Sequence, residues 1–172
     1  MATDEQVQDL KKKMRAERGK LLAAFNALGE DEAERSTSGE GEWSAKQQMG
    51  HLCEMESAYR AWVEQALTED NPNVDSVFGG PPAITLTKAH DHTVAEHMAE
   101  MRHQRALTET VIDGITAEQF ERTATQQMFG TLTVMQWLRS YYRHDRMHND
   151  QVRGQDPTYK PRFTSGEPDQ RR

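Results

Sequence analysis

Two histidines near the C-terminal end of the sequence, His144 and His148, are spaced for joint metal binding. Residues four apart on an α-helix lie on the same face, so both imidazoles can reach one ion. Two ligands rarely hold a divalent ion tightly, and the best third ligand in the sequence is His51. Three protein ligands leave coordination positions open, which is typical of catalytic rather than structural metal sites. The sequence therefore predicts a reactive metal centre at His51, His144 and His148.

The alternative interpretation is a polar helix face on which two of the seven histidines fall four residues apart by chance. The pair alone does not decide between the two, so the prediction depends on whether the fold brings His51 to the pair. Imidazole suits zinc, nickel and iron alike, and the residues do not choose among these metals.

Four segments carry the apolar spacing of amphipathic helices and must position the histidines. Ser44 and Gln47 form a capping-box pattern before the second segment, and Thr116 and Gln119 form another before a short turn. Alternation typical of β-strands extends over no useful length, so we expect an all-α four-helix bundle. The predicted helices cover residues 4–28, 45–67, 87–112 and 133–153.

Two connections interrupt these helices. Residues 30–42 are acidic with several serines and glycines, which predicts a flexible link. Residues 68–83 contain Asn71-Pro72, Gly79-Gly80 and Pro81-Pro82, and no helix passes through such a stretch.

The metal hypothesis constrains the topology of the bundle. His51 lies near the start of the second helix, whereas His144 and His148 lie near the end of the fourth. In an up-down-up-down bundle these helices are parallel, which would separate the ligands by about 25–30 Å. An up-down-down-up bundle needs a long return between helices two and three, and the 68–84 connection can span up to roughly 50 Å. The ligand positions and the loop length therefore both favour up-down-down-up.

The chain of 172 residues fits one domain, predicted at residues 1–154, with a polar tail at 155–172 that we expect to be loosely held. A net charge of −7 without a basic block argues against nucleic-acid binding. A single cysteine and the lack of a long apolar run argue against disulfides, a membrane span and a secretory signal. These features favour a cytoplasmic protein that acts on small molecules.

Other polar residues near the predicted site have two interpretations each. His90 and His97, on the third predicted helix, could face the pocket as a proton carrier or substrate contact, but an exposed polar face is favoured. Glu54 could orient a ligand imidazole or could be a solvated or salt-bridged residue, and Asp145 could orient one or could form an ion pair on the helix surface. Tyr141 fits a pocket wall or the core.

Two motifs resemble the DinB/YfiT-like superfamily over residues 5–153. A tryptophan and a capping serine precede Gly50-His51-Leu52-Cys53-Glu54-Met55-Glu56, and the segment Gly-Thr-Leu-Thr-Val-Met-Gln-Trp-Leu at 130–138 precedes His144-Asp145-Arg146-Met147-His148-Asn149-Asp150-Gln151. The resemblance implies an up-down-down-up four-helix bundle with zinc, nickel or iron held by His51, His144 and His148. It implies either a metal-dependent hydrolase or an enzyme that uses a low-molecular-weight thiol for isomerisation or S-transfer. It supplies no shared catalytic side chain, so catalytic residues stay unassigned.

We therefore expect a metal-dependent enzyme that acts on a small electrophilic substrate through metal-activated water or a low-molecular-weight thiol, as a hydrolase or thiol S-transferase. The alternative is a non-catalytic metal- or ligand-binding bundle in stress response, and a bundle without metal is a third. A homodimer is compatible with such a bundle, but no residue pattern specifies one.

Overall fold

Four long helices form a bundle in the computed structural model, which describes residues 1–35 and 43–159. Each long helix begins at a capping box, with Thr3, Ser44, Thr93 and Thr133 as the N-caps. The cap hydroxyl and the side chain three residues later satisfy free backbone N–H groups at the helix start. The predicted all-α bundle is confirmed. The helices are α1 (Asp4–Asn26), the one-turn α2 (Glu30–Ala33), α3 (Ala45–Thr68), α4 (Val94–Asp113) and α5 (Val134–Val152).

Contacts along the helices give their relative directions. Gln48 meets His148 at one end of α3, and Trp62 packs on Trp137 further along, so α3 and α5 run antiparallel. Glu56 binds Arg105, and Arg60 binds Thr108 further along both helices, so α3 and α4 run parallel. These are the two relations that the ligand argument required of an up-down-down-up order.

The third helix begins later than predicted. Residues Leu86–Asp91 form a 3₁₀ helix, and His92 is extended before the Thr93 cap starts α4. The 3₁₀ helix packs against α3 at Gly50, where an added Cβ would lie 2.8 Å from the carbonyl carbon of Thr85. Helix α4 therefore begins at the capping box of Thr93 and not near residue 87.

The connection predicted as flexible at 30–42 is ordered in its first part. Helix α2 lies there, and the ammonium group of Lys46 binds the carboxylates of Glu30 and Glu34 at 3.0 and 2.5 Å. This buried lysine offsets the acidic charge that suggested a solvated link. The rest of that prediction, at residues 36–42, lies outside the described residues.

A short β-hairpin precedes α5, although the sequence suggested no strands. Strand β1 (Thr123–Gln126) pairs antiparallel with β2 (Gly130–Thr133), and Gly130 has φ 78° where the turn enters β2. The hairpin is tied to the long connection, because the backbone of Thr125 bonds to Pro72 and Val74 at 2.9 Å each. The hairpin tip therefore has a fixed place beside the bundle.

Two apolar clusters make up the core. One contains Trp137 and Phe120, and the other contains Phe25 and Met49. On α1, α3 and α4 a buried charged residue stands between members of the two clusters: Arg18, Glu56 and Arg105. Together with Asp145 of α5 they form the ion-pair group described below.

Candidate metal centre

The structure brings the three predicted ligands together. His51 comes from the start of α3, and His144 and His148 come from the last turns of α5. One ligand nitrogen from each lies within 4.8 Å of the other two. The Nε2 atoms of His144 and His148 are 3.0 Å apart. Two antiparallel helices therefore place three imidazoles around a common centre.

Gln48 fixes the orientation of the most buried ring. Its Oε1 atom lies 3.0 Å from Nδ1 of His148, which is fully buried. An oxygen at this distance can accept a hydrogen bond from Nδ1, and in that tautomer the Nε2 lone pair faces the other imidazoles. Such a partner on the far nitrogen is typical of metal-binding histidines.

Burial keeps all three rings uncharged near neutral pH. Loss of solvation, with a smaller effect from His144, lowers the pKa of His51 to about 3. Loss of solvation, helped by the charge of Arg18, lowers the pKa of His144 to about 4. The pKa of His148 is also well below its usual value, through burial and the two neighbouring rings. Neutral imidazole is the form that binds a metal ion.

These residues fit a divalent cation. Ligand nitrogens about 2.0–2.1 Å from a tetrahedral zinc ion are roughly 3.3 Å from each other, close to the His144–His148 separation. The set offers three neutral nitrogen donors, which suits zinc, nickel or iron without choosing among them. His51 and His144 also line an open cavity, so a bound ion would be accessible from that side.

The cavity beside the histidines has a volume of about 350 Å³ and mostly apolar walls. The long connection contributes Phe78, the hairpin contributes Met128 and Phe129, and the chain after α5 contributes Tyr159. Sequence reasoning missed all four, because they reach the site through loop and hairpin docking. The remaining lining residues are Met55, Ala58, Tyr59, Trp62, Gln126, Ser140 and Met147, together with the two histidines.

The start of the predicted loose tail is held against α5. The backbone N–H and the hydroxyl of Thr158 both donate to Asp150, at 3.0 and 2.9 Å. Tyr159 is consequently buried at the cavity wall. The rest of the tail prediction, at residues 160–172, lies outside the described residues.

Four fully paired charges lie in the bundle interior next to His144. Arg18 binds Glu56 and Asp145 at 2.7 and 2.8 Å. Arg105 binds the same two carboxylates at 2.7 and 2.9 Å. All four residues are at most 5% exposed. Asp145 is thus part of an ion-pair group, but the group is buried rather than on the surface as expected.

That group had a sequence signal. Arg18 stands four residues after Met14 and three before Leu21, which places it on the buried stripe of α1. Glu56 stands in the same way between Leu52 and Tyr59. Charged residues on an apolar stripe indicate a buried partner of opposite sign.

The other polar residues lie apart from the three-histidine cluster. His90 is exposed and pairs with Glu34, as the polar-face interpretation expected. That interpretation is wrong for His97, which is fully buried under the 3₁₀ helix with its Nε2 2.8 Å from the carbonyl oxygen of Ala89. Neither lines the cavity. Tyr141 belongs to the core, and its hydroxyl donates to the carbonyl of Glu56.

Of three further residues near the histidines, Trp43 contacts the cluster, and Glu54 and Cys53 do not line the cavity. The ring centroids of Trp43 and His51 are 4.7 Å apart. Glu54 lines a second pocket, which shares Met55, Ala58 and Phe78 with the cavity beside the histidines, and it is not a member of the histidine group. Cys53 is buried, which raises the pKa of its thiol, and it does not line the cavity.

Among the described residues, none of the helices has the length and apolar character needed to cross a membrane.

Comparison with known proteins agrees with this architecture. The chain is similar to YfiT from Bacillus subtilis, described as a probable metal-dependent hydrolase with an unusual four-helix bundle topology, with a TM-score of 0.72, 15% identity, and coverage of 89% of this chain and 87% of that one. It is also similar to a mycothiol-dependent maleylpyruvate isomerase, with a TM-score of 0.68, 11% identity, and coverage of 88% of this chain and 63% of that one. No curated protein sequence matches the chain significantly. At these identities the two structures establish the fold, and the family follows from the sequence itself: residues 13–152 match the DinB superfamily, to which this chain belongs.

Proposed function

We propose that this protein is a metal-dependent enzyme with His51, His144 and His148 as the metal ligands, and that it acts on a small electrophilic substrate. The attacking group is water or a low-molecular-weight thiol, so the reaction is hydrolysis or thiol S-transfer. The observation that carries the proposal is the meeting of three neutral imidazoles beside an open cavity. A structural metal site would have a closed set of ligands instead.

The chain's own residues prepare this site. A divalent cation bound there would lower the pKa of a coordinated water or thiol and polarise a substrate carbonyl. Gln48 holds the His148 ring in one orientation, and the ring of Trp43 packs against that of His51. The apolar walls limit the water that reaches a bound substrate, which strengthens electrostatic interactions at the histidines.

The similar structures support both reaction types. YfiT is described as a probable metal-dependent hydrolase, and the maleylpyruvate isomerase is named as mycothiol-dependent. The first favours water as the attacking group and the second favours a thiol cofactor. A cytoplasmic location and a homodimer stay predictions.

Metal analysis of protein purified without a histidine tag tests the site. We expect about one metal ion per chain in the wild type and in His103→Ala, whose histidine is exposed on α4, and far less in His148→Ala. A wild-type content far below one per chain would contradict the metal site.

Activity measurements then separate an enzyme from a binding protein. The substrates are a nitrophenyl ester for hydrolysis and chlorodinitrobenzene with a low-molecular-weight thiol for S-transfer. We expect at least one rate to be lost in His148→Ala and kept in His103→Ala. Equal rates in all three proteins would favour a non-catalytic metal- or ligand-binding bundle.

A further inference from the structure

The cavity that begins at the histidines extends away from them along an apolar surface. Apart from the two histidines, its lining contains no acidic or basic side chain among the described residues. A charged group placed there would lose its hydration without gaining a partner of opposite charge. The cavity therefore discriminates against substrates that carry a charge away from the reacting group.

Three polar side chains in the wall bond to partners within the protein. The indole N–H of Trp62 donates to the carbonyl of Val77 at 2.8 Å, which leaves its ring facing the cavity. The hydroxyl of Ser140 donates to the carbonyl of Gln136, and Oε1 of Gln126 accepts from the backbone N–H of Met128. These contacts make the wall less polar than its residue types suggest.

Two large apolar side chains stand exposed at the edge of the cavity. Phe78 is 79% exposed and Met128 is 49% exposed, and both line the cavity. The segments that carry Phe78 and Met128 are bonded to each other. The N–H of Gln127 donates to the carboxylate of Asp75 at 2.6 Å, and Asn73 forms a β-bridge with Thr125 of β1. Apolar surface held in water at a cavity edge is typical of a ligand-binding site.

We infer that the substrate has a neutral apolar body, an aryl group or a medium-length alkyl chain, that lies between Trp62 and the hairpin tip with its reacting group at the histidines. This assignment rests on the proposed function and adds the substrate class. A volume of about 350 Å³ is in the range of small-molecule pockets. Phe78 and Met128 cover the apolar body at the open side.

Hydroxamates of different tails test this inference, because the hydroxamate group binds zinc and the tail must occupy the cavity. The affinities of acetohydroxamate, hexanohydroxamate, benzohydroxamate and adipic monohydroxamate for the zinc-loaded protein are measured by calorimetry. Each added methylene should tighten binding by about fourfold until the cavity is full. The terminal carboxylate of adipic monohydroxamate should remove most of that gain.

Variants at the cavity edge assign the effect to this surface. Phe78→Ser and Met128→Ser should each weaken hexanohydroxamate by about tenfold and leave acetohydroxamate unchanged. Both side chains are exposed, so neither change should unfold the protein. Leu107→Ser is the matched control, since Leu107 is an exposed apolar residue on α4 that does not line the cavity.

The outcomes separate this inference from the proposed function. If the protein loads zinc but binds all four hydroxamates with equal affinity, or binds adipic monohydroxamate most tightly, the assignment of an apolar substrate body is wrong and the metal site is unaffected. Failure to load zinc would overturn the proposed function and the substrate assignment with it. The neutral dye N-phenylnaphthylamine tests the cavity in metal-free protein. We expect its fluorescence to rise on addition of the wild type or Leu107→Ser and to rise less with Phe78→Ser. No rise with the wild type would contradict an apolar site.

Discussion

The side-chain oxygen of Gln48 lies 3.0 Å from Nδ1 of His148. Gln48 itself is one helical turn before His51 on α3. One segment of α3 therefore supplies both a ring of the three-histidine cluster and the residue that contacts a second ring of it. Removal of the hydrogen-bond partner on the other ring nitrogen of a metal-binding histidine usually lowers metal affinity by about 10- to 100-fold.

Replacing Gln48 should weaken metal binding without removing a ligand. For Gln48→Leu we expect zinc affinity to fall by about 10- to 100-fold, because the His148 ring loses the acceptor that fixes its proton and orientation. Competition with a chelator measures the affinity. Gln65→Leu, near the other end of α3, is the control and should keep wild-type affinity. Unchanged affinity in Gln48→Leu would contradict the role of this contact.

The glycine before His51 is required by close packing. A Cβ at Gly50 would lie 2.8 Å from the carbonyl carbon and oxygen of Thr85, so Gly50→Ala should lower the free energy of unfolding by about 1–3 kcal/mol. Gly19 is also helical, but an added Cβ there meets nothing within 4 Å. Gly19→Ala should therefore raise the free energy of unfolding by about 0.5–1 kcal/mol. Urea unfolding of both variants checks the pair, and equal effects would show that helix propensity alone decides.

The buried ion pairs should be sensitive to the loss of one member. Glu56→Gln leaves Arg18 and Arg105 with a single carboxylate, and we expect a cost of roughly 3–5 kcal/mol in the free energy of unfolding. Glu54→Gln, two residues away on the same helix, is the control and should change it little. The double variant Glu56→Gln with Arg105→Gln removes one charge of each sign, so it should cost less than the sum of the single changes. Additive costs would argue against coupling.

Acid should remove the contribution of Glu56. Burial opposes its ionisation, but the charges of Arg105 and Arg18 outweigh burial and hold the pKa of Glu56 below the ordinary 4.5. The unfolded chain therefore takes up this proton first as the pH falls, and stability decreases. The difference in free energy of unfolding between the wild type and Glu56→Gln should be full above pH 4.5 and shrink as the pH falls through the folded-state pKa.

Urea unfolding at several pH values measures that difference. The contributions of His51 and His148 are common to both proteins and cancel in the comparison, whereas the smaller effect of Glu56 on the pKa of His144 remains in the difference. A difference that stays constant from pH 7 to pH 3 would contradict a lowered pKa at Glu56.

Local signals predicted most of the bundle, because capping boxes and apolar spacing act within one helix. The pattern at Ser44 located the start of α3, and the His144–His148 spacing located two of the grouped imidazoles. The strands of the hairpin are four residues each, too short for alternation to be recognised. A 3₁₀ helix at Leu86–Asp91 lies where the third helix was predicted to start.

The cavity was beyond local sequence reasoning for a physical reason. Phe78, Met128 and Tyr159 come from three separate segments, and each reaches the site through contacts far apart in the chain. The burial of the charged residues could have been predicted from the sequence. Arg105 stands four residues after Met101 on the apolar stripe of α4, and such a position indicates a partner of opposite charge on a facing helix.

Because Asp150 holds Thr158 against α5, the part of the chain that forms the cavity extends beyond the part that forms the helical bundle. A chain cut after residue 154 would keep every long helix and all three grouped imidazoles, but the cavity would lack the wall that Tyr159 provides. Ligand studies on such a shortened protein would report a broader selectivity than the full chain has, because Tyr159 would no longer bound the space.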